Sequence, residues 1–186
     1  MNNKIILGLI GEIASGKSAL ADFLTDEFQS KTASFSEPLR RILDLLGLPQ
    51  SRENMVWLGV NLREHFGQDI LAKYTFRTIT HSFAPIICLP NIRLEGDISL
   101  LKTLPHFYLI RIDAEPEIRY KRLTQRTENS DDSTKTWEEF LADSTLSTEI
   151  GIRDLPKQAH FSIDNNTCKA NLFKQIRSII KEIKGA

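Results

Sequence analysis

Cysteine is scarce: the 186 residues contain two, Cys88 and Cys168, widely separated in the chain. A scaffold held by disulfides is thereby excluded, and so is a zinc module, which needs closely spaced ligand pairs. Cys88 falls inside the apolar run Ala84-Pro85-Ile86-Ile87-Cys88-Leu89 and is expected to be a buried thiol. Long apolar runs are missing too. None approaches the ~18 residues of a membrane-spanning helix, so no membrane partner is expected. Nor does one sign of charge dominate. Lys plus Arg and Asp plus Glu both number 24, which removes the bulk basic character of a nucleic-acid-binding surface. His65, His81, His106 and His160 have neither metal-ligand nor triad spacing. Met1-Asn2-Asn3-Lys4 lead straight into an apolar stretch, leaving no room for a secretory signal, and a cytoplasmic location is expected.

What is present, 41% hydrophobic and 26% charged residues, is the composition of a globular protein, expected to form one domain over residues 1–186. Its most informative stretch is Gly11-Glu12-Ile13-Ala14-Ser15-Gly16-Lys17-Ser18, the pattern G-x-x-x-x-G-K-[ST]. The apolar run Ile5-Ile6-Leu7-Gly8-Leu9-Ile10 precedes it, and Leu20, Phe23, Leu24 and Phe28 follow at i, i+3, i+4 and i+8. Strand, glycine loop and helix are the context this motif requires. Gly11 and Gly16 permit backbone angles and close approaches that a side chain would block, so main-chain N–H groups can turn toward phosphate oxygens. The helix that follows adds the positive end of its dipole. Lys17 has the reach to hold terminal phosphates, and Ser18 carries a hydroxyl suited to Mg²⁺. The stretch reads as a site for ATP and Mg²⁺, with Gly11, Ala14, Ser15, Gly16, Lys17, Ser18 and Ala19 around the phosphates. Glu12 is expected to face solvent.

Further along, Thr32 to Phe35 is a short candidate strand, and Pro38 starts a helix running from Leu39 to Leu46 that Gly47 and Pro49 end. Ser51 caps a helix with the apolar stripe Met55, Leu58, Leu62 and Phe66; Gly67 stops it, and Asp69 caps the next, which carries Ile70, Leu71 and Tyr74. Trp57, Tyr74 and Phe76 are expected in the core rather than stacked on a ligand. The run from Ala84 to Leu89 suits a central strand buried on both faces. A helical segment from Glu95 to Leu104, a strand from His106 to Ile112, a helix from Ala114 to Arg126, a polar loop over 127–134 and a helix from Trp137 to Leu146 follow. His160 to Ile163 is a last strand. The final helix has Leu172, Phe173, Ile176, Ile179, Ile180 and Ile183 on one face and Lys174, Arg177, Lys181 and Lys184 on the other. Five strands separated by helices predict a doubly wound α/β fold, with ligands at the carboxyl ends of the strands.

GTPase switches need an Asn/Thr-Lys-x-Asp base-reading motif, which is absent. AAA-type and helicase ATPases need a carboxylate pair at a strand end, where this chain has Leu89-Pro90-Asn91. A small kinase remains, and it needs an acceptor pocket and an arginine-bearing lid that neutralises the transferring phosphoryl group and excludes water. Arg119, Arg122 and Arg126, at i, i+3 and i+7, share a helix face that runs into the polar loop. Arg122 and Arg126 are expected to serve a lid. For Arg119 a solvated basic face and a lid role stay open.

The glycine loop, Phe35-Ser36-Glu37-Pro38-Leu39-Arg40, the stretch from Leu62 to Ala72, the Arg119-x-x-Arg122-Leu123-x-x-Arg126 segment and the ending Ala159-His160-Phe161-Ser162-Ile163-Asp164-Asn165 together resemble the dephospho-CoA kinase and phage-type deoxynucleoside monophosphate kinase group. The resemblance spans nearly the whole chain. It implies a three-layer α-β-α P-loop NTPase fold with a five-stranded parallel sheet, a helical acceptor-binding insert near residues 36–82 and a lid region near residues 119–146. It also implies ATP-dependent phosphorylation of a small nucleotide-like acceptor; the balanced charge leaves no nucleic-acid partner expected. Carried over by position, Ser36, Glu37, Arg40, Arg63 and Arg93 would line the acceptor site, a guanidinium fork matching phosphate oxygens. Lys17, Arg93, Arg122 and Arg126 would act on the transferring group, and Arg126 and Asn165 would flank the adenine. Relatives carry Asp-Gly-Ile-Arg after the third strand where this chain has Pro90-Asn91-Ile92-Arg93. The lost carboxylate leaves Glu37 as a candidate substitute. Together with Arg40 and Arg63, which suit a phosphate, the missing Asp favours a nucleoside or deoxynucleoside monophosphate as acceptor. The alternatives are a dephospho-CoA kinase-type reaction on a hydroxyl, which would need Glu37 or a nearby acid as base, and an ATP-binding regulator without turnover, which the missing Asp supports. Monomer and homodimer are both open.

Overall fold

The computed structural model describes residues 4–92, 95–125, 135–143 and 155–185. Five strands, β1 (Ile5–Ile10), β2 (Lys31–Thr32), β3 (Ile86–Leu89), β4 (Phe107–Asp113) and β5 (Phe161–Asp164), form one parallel sheet in the order β2-β3-β1-β4-β5. β1 lies in the middle, with Ile6 opposite Ile87 on one side and Phe107 on the other. Every residue of β1 and β3 is buried, as their unbroken apolar runs require of strands covered on both faces.

Strand alternation sends Ile5, Leu7 and Leu9 to one face and Ile6 and Ile10 to the other. The first face packs against α1 (Lys17–Phe28) and α8 (Lys169–Gly185) through Leu20, Leu24, Leu172, Ile176 and Ile180. The second packs against α2 (Glu37–Leu45) and α4 (Ile70–His81) through Leu39, Leu71 and Ile79. Partly buried Met55, Leu58 and Leu62 of α3 (Arg52–Phe66) join that second core. The result is the three-layer α-β-α arrangement. The basic face of α8 meets α1, where Arg177 forks the Glu27 carboxylate at 2.6 and 2.5 Å and holds its pKa below the usual carboxylate range.

Several boundaries differ from expectation, each for a local reason. β2 stops at Thr32: it pairs only with β3, at a sheet edge, and after Ala33 N donates to Cys88 O at 2.8 Å the Ser34 hydroxyl takes the Ser36 N–H and turns the chain. α2 starts at Glu37, with Pro38 in its first turn. Ser51 caps α3 as expected, its hydroxyl accepting from Asn54 N at 3.2 Å. Asp69 precedes α4 without capping it, and its carboxylate instead pairs with Lys73 at 3.1 Å. The helix expected from Glu95 to Leu104 breaks into α5 (Glu95–Ile98) and a 3₁₀ turn, Leu101–Thr103. α6 spans Pro116–Thr124; α7 is described over Trp137–Asp143, and its expected end at Leu146, like the polar loop over 127–134, lies outside the described residues. Phe66 and Trp57, expected to be covered, are 57% and 65% exposed.

Candidate functional site

The glycine loop leaves the carboxyl end of β1 at the centre of the sheet. Gly11 has φ 153°, and a Cβ there would lie 2.5 Å from Ile112 O and 2.7 Å from Ser15 Oγ. Gly16 has φ 113°, and a Cβ there would collide with the Asn165 amide. Ala14 adopts the left-handed conformation, φ 59°, which folds the loop back on itself. Leu20 N makes the helical bond to Gly16 O at 3.0 Å, so the N–H groups of Lys17, Ser18 and Ala19 form the open first turn of α1, where anions bind. Lys17 Nζ folds over the loop and donates to Gly11 O at 2.6 Å and Glu12 O at 2.9 Å. Ser18 is exposed at the mouth.

Ser15 is 1% exposed, and its Oγ has no hydrogen-bond partner. An unsatisfied buried hydroxyl is costly. This one borders a cavity of about 490 Å³ between the loop and the end of β4, lined also by Gly11, Glu12, Asp113, Arg119 and Lys157. A nucleotide phosphate in the loop would give Ser15 its missing partner, so the residues present fit the group. Among the described residues no cluster of three His, Cys, Asp or Glu side chains could hold a metal ion. Mg²⁺ here would be held by Ser18 together with phosphate oxygens.

Asn165 and Arg119 brace the loop from behind, and Arg122 bonds the backbone at Asn165. Asn165, 4% exposed at the end of β5, donates from Nδ2 to Ser15 O at 2.7 Å while its own N–H bonds Asp113 O at 2.8 Å. Arg119, 3% exposed, ion-pairs with Glu12, donates to Ala114 O at 3.0 Å and Ile13 O at 3.3 Å, and sits 5.2 Å from the centre of the Phe140 ring. Neither Glu12 nor Arg119 is a solvated surface charge: each neutralises the other beside the phosphate loop. Arg122 donates from Nη2 to Asn165 O at 2.9 Å and Thr167 O at 3.3 Å, and desolvation lowers its pKa. Its Nη1 is buried without a partner. Arg122 thus lies against the β5–α8 turn, on the Asn165 side of the loop. Asp113, which sequence reasoning missed, ends β4 at the cavity wall and accepts from Arg111 Nε at 2.6 Å and Ser162 Oγ at 3.2 Å. Its one sequence signal is an acid at the carboxyl end of a parallel strand.

The residues expected on the acceptor side form a separate group, each with its partners inside residues 34–97 among the described residues. Ser36 Oγ lies 2.8 Å from Ser34 Oγ. Glu37 accepts from the Tyr74 hydroxyl and pairs with Arg41 at 3.7 Å. Tyr74 and Glu37 in turn raise the Arg41 pKa. Arg40 is exposed and donates to Gln50 Oε1 at 2.9 Å. Arg63 lies 3.9 Å from the buried Asp97 carboxylate, with its Nε buried and unbonded. Arg93 and Arg126 lie outside the described residues.

Cys88 behaves as read: buried at the centre of the sheet, its thiol is pushed up to about 12 by desolvation, with a further contribution from Asp22.

No family model matches the chain. A UPF0200 protein of Methanoculleus marisnigri is 27% identical over 181 residues, which cover 97% of each chain. Among solved structures, a shikimate kinase from Bacteroides thetaiotaomicron aligns with a TM-score of 0.62 at 10% identity, covering 95% of this chain and 98% of that one. A shikimate kinase from Acinetobacter baumannii in complex with shikimate aligns with a TM-score of 0.54 at 14% identity, covering 97% and 95%. At these identities the likeness is one of fold: five parallel strands and flanking helices arranged as in P-loop kinases.

Proposed function

We propose that the chain is a small-molecule kinase that transfers the γ-phosphoryl group of ATP·Mg²⁺ to a nucleoside or deoxynucleoside monophosphate. The observation that carries the phosphoryl-transfer reading is the loop itself. Its glycines cannot bear a Cβ, its lysine lies over its carbonyls, and a buried serine hydroxyl lacks an acceptor at the edge of the cavity. Phosphoryl transfer needs little covalent help from the protein; positioning and charge neutralisation supply most of the catalysis. Lys17 would leave the Gly11 and Glu12 carbonyls for the phosphate oxygens, and Mg²⁺ held at Ser18 would neutralise charge on them. Arg122, with an unbonded Nη1, and Arg126 would add positive charge from the lid side, and Arg126 and Asn165 would border the adenine. In the transfer, an acceptor oxygen bonds to the γ-phosphorus as the β–γ bridging bond breaks, and ADP leaves.

The choice of acceptor rests on the arginines of the helical insert. Among the described residues Arg40 holds a neutral amide alone, and Arg63 sits at a loose 3.9 Å from Asp97 with an unused Nε, so both have guanidinium donors to offer a phosphate, beside Arg93 and Ser36. A second reading, phosphorylation of a hydroxyl as in a dephospho-CoA kinase, is favoured by Glu37, a carboxylate on the acceptor side able to take a proton. A cytoplasmic location belongs to the same reading, supported by the lack, among the described residues, of a helix long and apolar enough to cross a membrane.

The deciding experiment incubates the protein with ATP, Mg²⁺ and a panel of ribo- and deoxynucleoside monophosphates, dephospho-CoA and shikimate, and weighs the products. One monophosphate gaining a single phosphoryl group is expected, and Lys17→Ala should abolish that product with the fold retained. ATP binding with no product from any acceptor would replace the kinase by a nucleotide-binding regulator.

A further inference from the structure

α3 has two apolar stripes, and the inner core uses one. Met55, Leu58 and Leu62 pack inward. On the opposite side Val56, Trp57 and Val60 are 57%, 65% and 45% exposed. With Arg52, Glu53 and Asn61 they line a groove of about 680 Å³. Leu45 at the end of α2, and Leu46 and Leu48 in the turn that leads from it to α3, are exposed as well. Apolar surface concentrated in this way marks a contact face.

The charges on that face identify its occupant. Arg52, Val56, Val60 and Glu64 follow at i, i+4, i+8 and i+12, a single ridge of the helix. It has a cation at its amino end, two valines in the middle and a carboxylate at its carboxyl end. Turned about a two-fold axis midway between Val56 and Val60, the ridge is complementary to itself: Arg52 of each copy meets Glu64 of the other, and the valines interdigitate. Both charges also oppose their own helix. Arg52 stands in the first turn, at the positive end of the dipole, and Glu64 in the last turn, at the negative end. Neither has an ion-pair partner among the described residues. An antiparallel copy gives each one an opposite charge and the opposite end of a dipole. We propose that the outer face of α3 pairs with the same face of a second copy of this chain, forming a two-fold dimer closed by two Arg52–Glu64 pairs around a Val56, Trp57 and Val60 core. The pairing holds α3 from outside while its inner side carries Arg63.

Sedimentation equilibrium of the full chain tests this. The wild type is expected to sediment at twice the chain mass in the micromolar range. Arg52→Glu and Glu64→Arg should each raise the dimer dissociation constant by about tenfold or more, since every dimer then holds two like-charge contacts in place of two ion pairs. Each reversal also places a charge favoured by its own helix end, so the monomer stays folded, as circular dichroism will show. The double variant R52E/E64R should regain wild-type association. A monomeric wild type, a dimer indifferent to either single reversal, or a double variant that stays dissociated would each overturn the proposal.

Discussion

Replacing Arg119 by Met removes a buried cation that ties α6 and Phe140 of α7 to the glycine loop. The Arg119 side chain is 4% exposed and the paired Glu12 side chain 25% exposed. Breaking a buried pair by deleting one partner costs about 3–5 kcal/mol, because the surviving charge stays desolvated. Glu12 is a quarter open to water, which draws the cost to the low end. The lost bonds to Ala114 O and Ile13 O and the contact with Phe140 act the other way. A net loss of about 3 kcal/mol follows, which for a chain of this size lowers Tm by roughly 6–12 °C. Glu12→Gln should cost less, about 1–2 kcal/mol, because the amide oxygen still accepts from the guanidinium. Thermal and urea melts of the two single variants and the double variant measure the coupling, which should exceed about 1 kcal/mol. In turnover assays Arg119→Met should raise the KM for ATP more than it lowers kcat, since the loop loses its brace while Lys17 and Ser18 stay in place. A Tm within about 2 °C of wild type together with an unchanged KM would refute the bracing role.

Asn165→Ala leaves the buried Ser15 carbonyl without its 2.7 Å donor and opens space beneath Gly16, so a loss of about 1–2 kcal/mol and weaker ATP binding are expected from melts and calorimetric titration. Cys88 supplies a pH test. Its native thiol keeps its proton up to about pH 12, whereas in the unfolded chain it ionises near 8.5, so the native state binds the extra proton between those values. Stability from this group is therefore whole below pH ~8.5 and falls by roughly 1.4 kcal/mol per unit as pH rises through that window. Urea melts at pH 8 and 10 should show a steeper alkaline loss for wild type than for Cys88→Ala; equal slopes would contradict the burial argument. In the native protein a thiol reagent should titrate Cys168 alone.

The parts of this molecule that could be read from sequence are those whose cause is local. A glycine loop between strand and helix carries its own requirements: positive φ at Gly11 and Gly16, a lysine at the first turn of α1 and an apolar strand before it. The order of elements follows from the same kind of signal, and it leads to the parallel sheet. The braces do not. Arg119 reaches the loop across 106 positions to Ile13, and Asn165 reaches Ser15 across 150. Nothing in the spacing of Arg119, Arg122 and Arg126 tells which of them turns inward; the depth of the β1–β4 edge decides that, by burying Arg119 beside an acid from another strand's end. Tyr74 meets Glu37 and Arg63 meets Asp97 in the same long-range way. Sequence identifies the donors in such cases and leaves their partners open.

α3 shows where periodicity itself runs out. A 3.6-residue repeat reports that a helix has an apolar stripe, and it assigns the stripe to the core when there is one stripe to assign. Here Met55, Leu58 and Leu62 make one and Val56, Trp57 and Val60 make another, turned to the opposite side. A count of apolar residues alone assigns Trp57 and Phe66 to the core, whereas both are exposed. The inward stripe is chosen by what the neighbouring elements offer: Leu39 and Leu71 stand ready on the sheet side, and nothing within the described chain stands on the other. A helix that spends apolar residues on both sides is shaped by two surfaces. Among the described residues this chain supplies one of them, and the charge order of the ridge from Arg52 to Glu64 is what a second copy of the same ridge would complement.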